Sequence, residues 1–219
     1  MEKATFSGSP YLGVFLRVTD RLALVPPSCP GALMYRLAQV LGVRVVRTSL
    51  ADSDVVGSLI AMNSRSILVS DTLDPTPLES LPDGIEIHTL HSRLNALGNT
   101  ILANDQGALV HPDYSPAQRE VIERALGVPV RPGTVAGLGT VSKAAVATSR
   151  GVAVHPRATN AEIENLEAVL QVPAHRSTAN FGVPLVGACV VANARGILVG
   201  DLTTPVEIVH LQEALKVLD

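Results

Sequence analysis

The 219-residue chain lacks the marks of several functional classes. It has two cysteines, Cys29 and Cys189, far apart and in no metal-ligand spacing. They give no disulfide framework and no metal site, so a reducing compartment is the expectation. The opening residues, MEKATFSGSPYLG, contain no apolar stretch that would direct export. Apolar runs are short and interrupted, for example by Asn193 and Arg195, and none reaches the ~18 residues of a membrane span. A cytoplasmic, soluble protein is expected. The net charge of −3 argues against general nucleic-acid binding, which rests on dense phosphate neutralisation. Lysine is scarce: of 17 basic residues only Lys3, Lys143 and Lys216 are lysines, and the other 14 are arginines. A few placed, forked arginine contacts are therefore expected at any charged interface.

What is present is repetition. Five segments align: LGVFLRVTDRLALVP from Leu12, VGSLIAMNSRSILVS from Val56, LGNTILANDQGALVH from Leu97, VSKAAVATSRGVAVH from Val141 and VGACVVANARGILVG from Val186. The second position is always small (Gly13, Gly57, Gly98, Ser142, Gly187), at intervals of 44, 41, 44 and 45 residues. Each segment then reaches Asn or Thr (Thr19, Asn63, Asn104, Thr148, Asn193) and turns back into a second apolar run. That pattern predicts a β-hairpin. In three copies the turn closes on glycine, at Gly107, Gly151 and Gly196.

Helix starts follow. TPLE at Thr76, SPAQ at Ser115, TNAE at Thr159 and TPVE at Thr204 are each capping boxes; SCPG at Ser28 is a weaker start. Behind them Ile163, Leu166 and Leu170 share a face, as do Ile208, Leu211, Leu215 and Leu218. LGVRVV, ALGVPV and VLQVPA, from Leu41, Ala125 and Val169, place a short strand just past the helix. The predicted unit is strand, hairpin, strand, helix, strand, in one domain of five repeats at about 8–51, 52–93, 94–137, 138–181 and 182–219. Such units form a line or a ring. The recurrent small residue suits a crowded axis. A spare strand at Lys3–Phe6 could complete the last blade and close the circle.

LNALGNTILANDQGALVHP, GTVSKAAVATSRGVAVHP and VGACVVANARGILVGDLTTPVEI resemble, in order and spacing, the repeats of the archaeal and eukaryotic translation initiation factor 6 family. The resemblance covers nearly the whole chain. It implies an α/β pentein fold, a five-bladed pseudo-symmetric propeller. It also implies a factor that binds the intersubunit face of the large ribosomal subunit. Contacts there would be mostly to ribosomal proteins near the sarcin–ricin loop, and the bound factor would sterically exclude the small subunit. Further implications are a monomer without cofactor, and release by a separate GTPase. The chain resembles the shorter archaeal form, which lacks a C-terminal tail.

Four of the five turns carry arginine at one position: Arg21, Arg65, Arg150 and Arg195, with Gln106 in the third. They read either as a face of fixed guanidinium and Asn groups or as ordinary exposed turns that use Asn and Gly for their backbone angles. The resemblance implies a contact surface at Asn63, Ser64, Arg65, Arg93, Asn104 and Asp105, with Asn95–Asn99 adjoining. Where the family often has Gly, this chain has Ser66, which leaves the second turn's shape open.

Other classes fit less well. The same superfold houses guanidino-modifying enzymes with a cysteine nucleophile. Here Cys189 lies in an apolar strand pattern and Cys29, beside Pro30, lies in a loop where exposure is conceivable. His111 and His155 recur before proline, which reads as architecture. GLGTVS at Gly137 is glycine-rich, but no G-x-x-x-x-G-K-[ST] exists. A scaffold for some other basic protein is permitted by the acidic balance.

Overall fold

The structure, a computed structural model, describes residues 1–78, 81 and 84–217. The chain opens with β1 (Glu2–Ala4), and five repeats follow. The first contains α1 (Leu12–Phe15), β2 (Arg17–Val18), β3 (Leu22–Val25), α2 (Gly31–Leu41) and β4 (Arg44–Arg47). The second contains α3 (Val56–Leu59), β5 (Ala61–Met62), β6 (Ser66–Ser70) and β7 (Glu86–Leu90), with a 3-10 turn at Thr76–Leu78. In the third are α4 (Leu97–Thr100), β8 (Ile101–Ala103), β9 (Ala108–Val110), α5 (Pro116–Leu126) and β10 (Val130–Pro132). In the fourth are α6 (Val141–Ala144), β11 (Ala145–Ala147), β12 (Val152–Val154), α7 (Asn160–Leu170) and β13 (Ala174–Arg176). The fifth contains α8 (Val186–Cys189), β14 (Val190–Ala192), β15 (Ile197–Gly200) and α9 (Pro205–Leu215).

Each repeat makes one three-stranded sheet. Its first two strands are antiparallel, and the third, delivered by the crossover, is parallel to the second. The fifth repeat lacks a third strand of its own, and β1 takes that place, with Glu2 opposite Leu198 and Ala4 opposite Gly200. This strand ends at Ala4, earlier than the expected Phe6, because Ser7 and Gly8 take positive φ and turn the chain. The architecture is a five-fold pseudo-symmetric α/β propeller.

The predicted hairpins differ from the structure in one respect. The first four residues of each segment form a single helical turn against the axis, and only then does the strand begin. A short apolar run does not by itself distinguish a strand from a buried helical turn. These turns touch in a closed cycle: α1 on α3, α3 on α4, α4 on α6, α6 on α8 and α8 on α1. A Cβ at Gly57 would overlap the carbonyls of Gly13 and Leu16, and one at Gly187 those of Ser142 and Ala145. Glycine at four of these positions, with Ser142 at the other, is what lets five backbones meet.

Helices α5, α7 and α9 start at closed capping boxes, with Ser115, Thr159 and Thr204 each exchanging bonds with the residue three along. In α2 no side chain caps the start; the Ser28 hydroxyl is bonded instead to Asp54. The TPLE box produces only the 3-10 turn, and its Glu79 lies outside the described residues. No α-helix joins β6 to β7 among the described residues. Pro77 does not account for this, since Pro116 and Pro205 hold the same first-turn position in α5 and α9. Leu166, Leu170, Leu211 and Leu215 are buried as their spacing predicts, while Leu218 lies outside the described residues.

Candidate functional site

The second strands run away from the hairpin turns, and the crossover helices run back. Hairpin turns and helix C-termini thus share one end of the ring, the hairpin end. Helix N-termini and the turns leading into the axial helices share the other, the entry end.

At the hairpin end the asparagines face inward. Asn104 Oδ1 accepts from the Gln106 and Gly107 amides (2.9 and 3.0 Å), while its Nδ2 donates to the carbonyls of Thr148 (3.1 Å) and Leu170 (3.0 Å). Asn193 does the same across the junction of the fifth and first repeats, donating to Thr19 and Leu41. Asn63 Nδ2 donates to Leu126, and its Oδ1 accepts from Arg65 and Ser66. One amide side chain thus closes its own turn and satisfies an orphan carbonyl at the C-terminus of the neighbouring helix. None of the three asparagines, and none of Gly107, Gly151 and Gly196, has positive φ. The backbone-angle explanation for them is corrected accordingly. A Cβ on those glycines would overlap a helix carbonyl of the next repeat, at Val169, Ala214 and Val40 respectively.

Two aspartates stitch adjacent turns. Asp105 Oδ1 accepts from the Ser64 amide (2.7 Å), and Asp20 accepts from the Ala194 amide (2.7 Å) and the Ser149 hydroxyl (2.8 Å). Three of the four turn arginines are clasps. Arg65 donates to Gly127 (3.1 Å), Arg195 to Gly42 (2.6 Å) and Arg21 to Ser64 (3.1 Å) and Gly84 (3.4 Å). Each clasp meets a glycine of positive φ past the crossover of the next repeat. For Arg150 of the fourth repeat, the residue at the equivalent position of the next repeat is Lys216 in place of glycine, and the Arg150 guanidinium has no bonded partner among the described residues.

The structure therefore brings Asn63, Ser64, Arg65, Asn104 and Asp105 together. It buries Asn63 and Asn104 to 2% and 6% exposure, and Ser64 is buried too. Arg65 is exposed and Asp105 partly so. Arg93 lies elsewhere. It follows β7 at the entry end, two residues past His91, which bonds Asp71. Arg93 is exposed and has no bonded partner among the described residues.

The sequence reading missed two cations inside the ring. Lys143 Nζ donates to the carbonyls of Gly13 (2.6 Å) and Gly57 (3.2 Å), and Arg17 donates to the Ser142 hydroxyl (2.8 Å). Burial, and then the nearby Arg17, push the Lys143 ammonium well below its usual range; burial lowers Arg17 to about 10. The available signal was a charge in an axial segment whose equivalents are Val14, Ser58, Asn99 and Ala188. Beside them the axial cavity has room for a few waters.

Both thiols are buried, so the exposure considered for Cys29 is corrected; it packs with Phe6, Leu33 and Leu37. Burial outweighs the Arg47 charge and pushes Cys29 up to about 11. Burial likewise outweighs an Asn180 hydrogen bond and takes Cys189 to about 12. Neither is an activated nucleophile. His111 and His155 accept the amides of Asp113 and Arg157 through Nδ1, an architectural role. No helix among the described residues is long and apolar enough to cross a membrane.

The eIF-6 family pattern matches residues 1–214. The chain is 46% identical over 194 residues to a Natronomonas pharaonis protein named translation initiation factor 6, covering 88% of each. It is 45% identical over 187 residues to that of Methanocella arvoryzae, covering 85% of each. With that of Pyrococcus furiosus it shares 43% identity over 222 residues, 98% of each chain. A closed ring of five repeats, a glycine-lined axis and a match along almost its full length together show that this chain belongs to the eIF-6 family.

Proposed function

We propose that the protein is a translation initiation factor that binds the large ribosomal subunit at its intersubunit face and excludes the small subunit by bulk. The family match over residues 1–214 carries this reading. The geometry supports it in a negative and a positive way. Both thiols are held protonated. The turns are interlocked from repeat to repeat, so the body is stiff, and a stiff body occupying a surface needs no chemistry.

The contact residues carried from the resemblance remain a proposal. Within that set, Arg65 and Asp105 offer exposed groups. Asn63, Ser64 and Asn104 hold the two turns in shape beneath them. Arg93 would belong to a separate contact. A cytoplasmic monomer of one domain, released by a separate GTPase, completes the proposal.

The test is sedimentation of the purified protein with archaeal large and small subunits. Co-migration with large subunits alone and fewer joined ribosomes are expected. Arg93→Ala should weaken both without changing the melting temperature, and Arg65→Ala should weaken both with a small loss of stability. A wild-type protein that ignores large subunits would sink the proposal.

A further inference from the structure

Two cations lie inside the ring, and no carboxylate pairs with either of them. Lys143 is buried and donates to the carbonyls of Gly13 and Gly57. Arg17 donates to the Ser142 hydroxyl (2.8 Å) and, at longer range, to the carbonyls of Gly98 (3.5 Å) and Ile101 (3.4 Å). No ion pair among the described residues joins either side chain to an Asp or Glu. All of these partners are neutral, so they satisfy donors and leave the charge in place. Carbonyl and hydroxyl dipoles offset part of the cost of burying a cation, and an opposite charge offsets more. Burial lowers Arg17 to about 10, which still leaves it protonated at neutral pH.

Arg17 also has donors to spare. A guanidinium carries five N–H groups. Nε and one N–H of Nη2 have no partner among the described residues. The side chain lines the axial cavity beside Ser142, whose hydroxyl accepts from Arg17 and has its own proton left to give. Val18, Met62, Leu102 and Val191 supply apolar wall, and no Asp or Glu lines the cavity among the described residues. Asp20 and Asp105 line the adjoining space towards the hairpin turns, where they accept from the amides of Ala194 and Ser64. Their charges oppose an anion from that side and keep its affinity modest.

We infer that the axial cavity is a binding site for a small monovalent anion of the halide class, held by the Arg17 guanidinium and the Ser142 hydroxyl. Size and chemistry both select a halide. The cavity has room for a few waters, and chloride is little larger than one water. A carboxylate or phosphate would bring further oxygens, which the apolar wall leaves without donors. A spherical halide accepts from any direction and needs no second set. Arg17 belongs to the first repeat, its carbonyl partners Gly98 and Ile101 to the third, and Ser142 to the fourth. An anion on Arg17 would therefore strengthen the axis where three repeats meet, and its binding would be read as stability of the ring.

The test needs no ribosome, so it stands apart from the reading above. The wild-type protein is melted at one fixed ionic strength while chloride replaces gluconate, an anion too large for the cavity. Going from about 10 mM to about 1 M chloride should raise the melting temperature by about 3 °C or more. Bromide should act in the same direction, and crystals grown in bromide should show an anomalous peak against Arg17. Arg17→Met keeps an apolar stem and removes the donors, so it should abolish the rise whatever its own baseline melting temperature. Should that variant not fold, Ser142→Ala, which stays small at the crowded axis, should raise the half-saturating chloride about threefold or more. A melting temperature that is flat or falls with chloride in the wild type would overturn the inference. So would a rise that persists in Arg17→Met, an unchanged half-saturation in Ser142→Ala, or bromide found only away from Arg17.

Discussion

The two ends of the ring are built from the same five repeats, yet they use their polar groups differently. At the hairpin end, asparagine and arginine side chains tie one repeat to the next, joined by the carboxylates of Asp105 and Asp20. At the entry end the fastening is by carboxylates: Glu162 and Glu207 close capping boxes and hold the amides of Gly137 and Gly182. The lesson is that recurrence alone does not settle a side chain's role: Lys143 stands alone in its position and fastens the axis, whereas Arg150 holds a repeated position without a bonded partner among the described residues.

Both ends rest on the same axis, and breaking it should have the largest effect. Gly57→Ala drives a methyl into two backbone carbonyls that cannot rotate away. About 3 kcal/mol or more of stability should be lost, read by urea unfolding, with the loss felt at both ends.

Acid should separate the ends. Burial raises the Glu207 and Glu162 pKa values, but amide and hydroxyl donors outweigh it and leave both at about 2, against an ordinary 4.5. The unfolded chain therefore binds protons first. The stabilisation, well below the full shift because both groups are reached by solvent, is present above pH ~4.5 and is lost as pH falls towards 2. Amide exchange of Gly137 and Gly182 should accelerate in that window before that of Gly107 and Gly196, whose partners do not titrate. Simultaneous loss would erase the distinction between the ends. Glu207→Gln should flatten the response in the fifth repeat.

Asn104→Ala sharpens the comparison from the other side. It strands two buried carbonyls and two turn amides, so a loss of about 2 kcal/mol is expected, independent of pH between 4 and 8. A smaller effect is expected from the exposed clasp: Arg65→Ala should cost about 1 kcal/mol. Arg93→Ala should leave thermal unfolding within about 0.5 kcal/mol of wild type. A large loss there would mean that Arg93 is a fastener after all.

Much of this was legible in the residues. Gly13, Gly57, Gly98 and Gly187 announced a crowded axis. Ser115, Thr159 and Thr204 announced helix starts, because a capping box depends only on neighbours three residues apart. The candidate site was legible only as a place. Asn104 and Arg65 stand in turns as read, but whether an Asn side chain points to solvent or to the carbonyl of Leu170 depends on a helix 66 residues away. Arg93, close in sequence to the third turn, is separated from it by an axial helix and a strand.

By itself the sequence determined the repeat, the place of the hairpins and the three capped helix starts, since these follow from local periodicity and from neighbours three residues apart. Only the tertiary structure decided which polar groups are spent and which remain available. Carbonyls left open at a helix C-terminus must find donors, and the nearest donors belong to the neighbouring repeat. That demand fixes Asn63, Asn104 and Asn193 inward, sets Lys143 on the axis, and leaves Phe181 facing water.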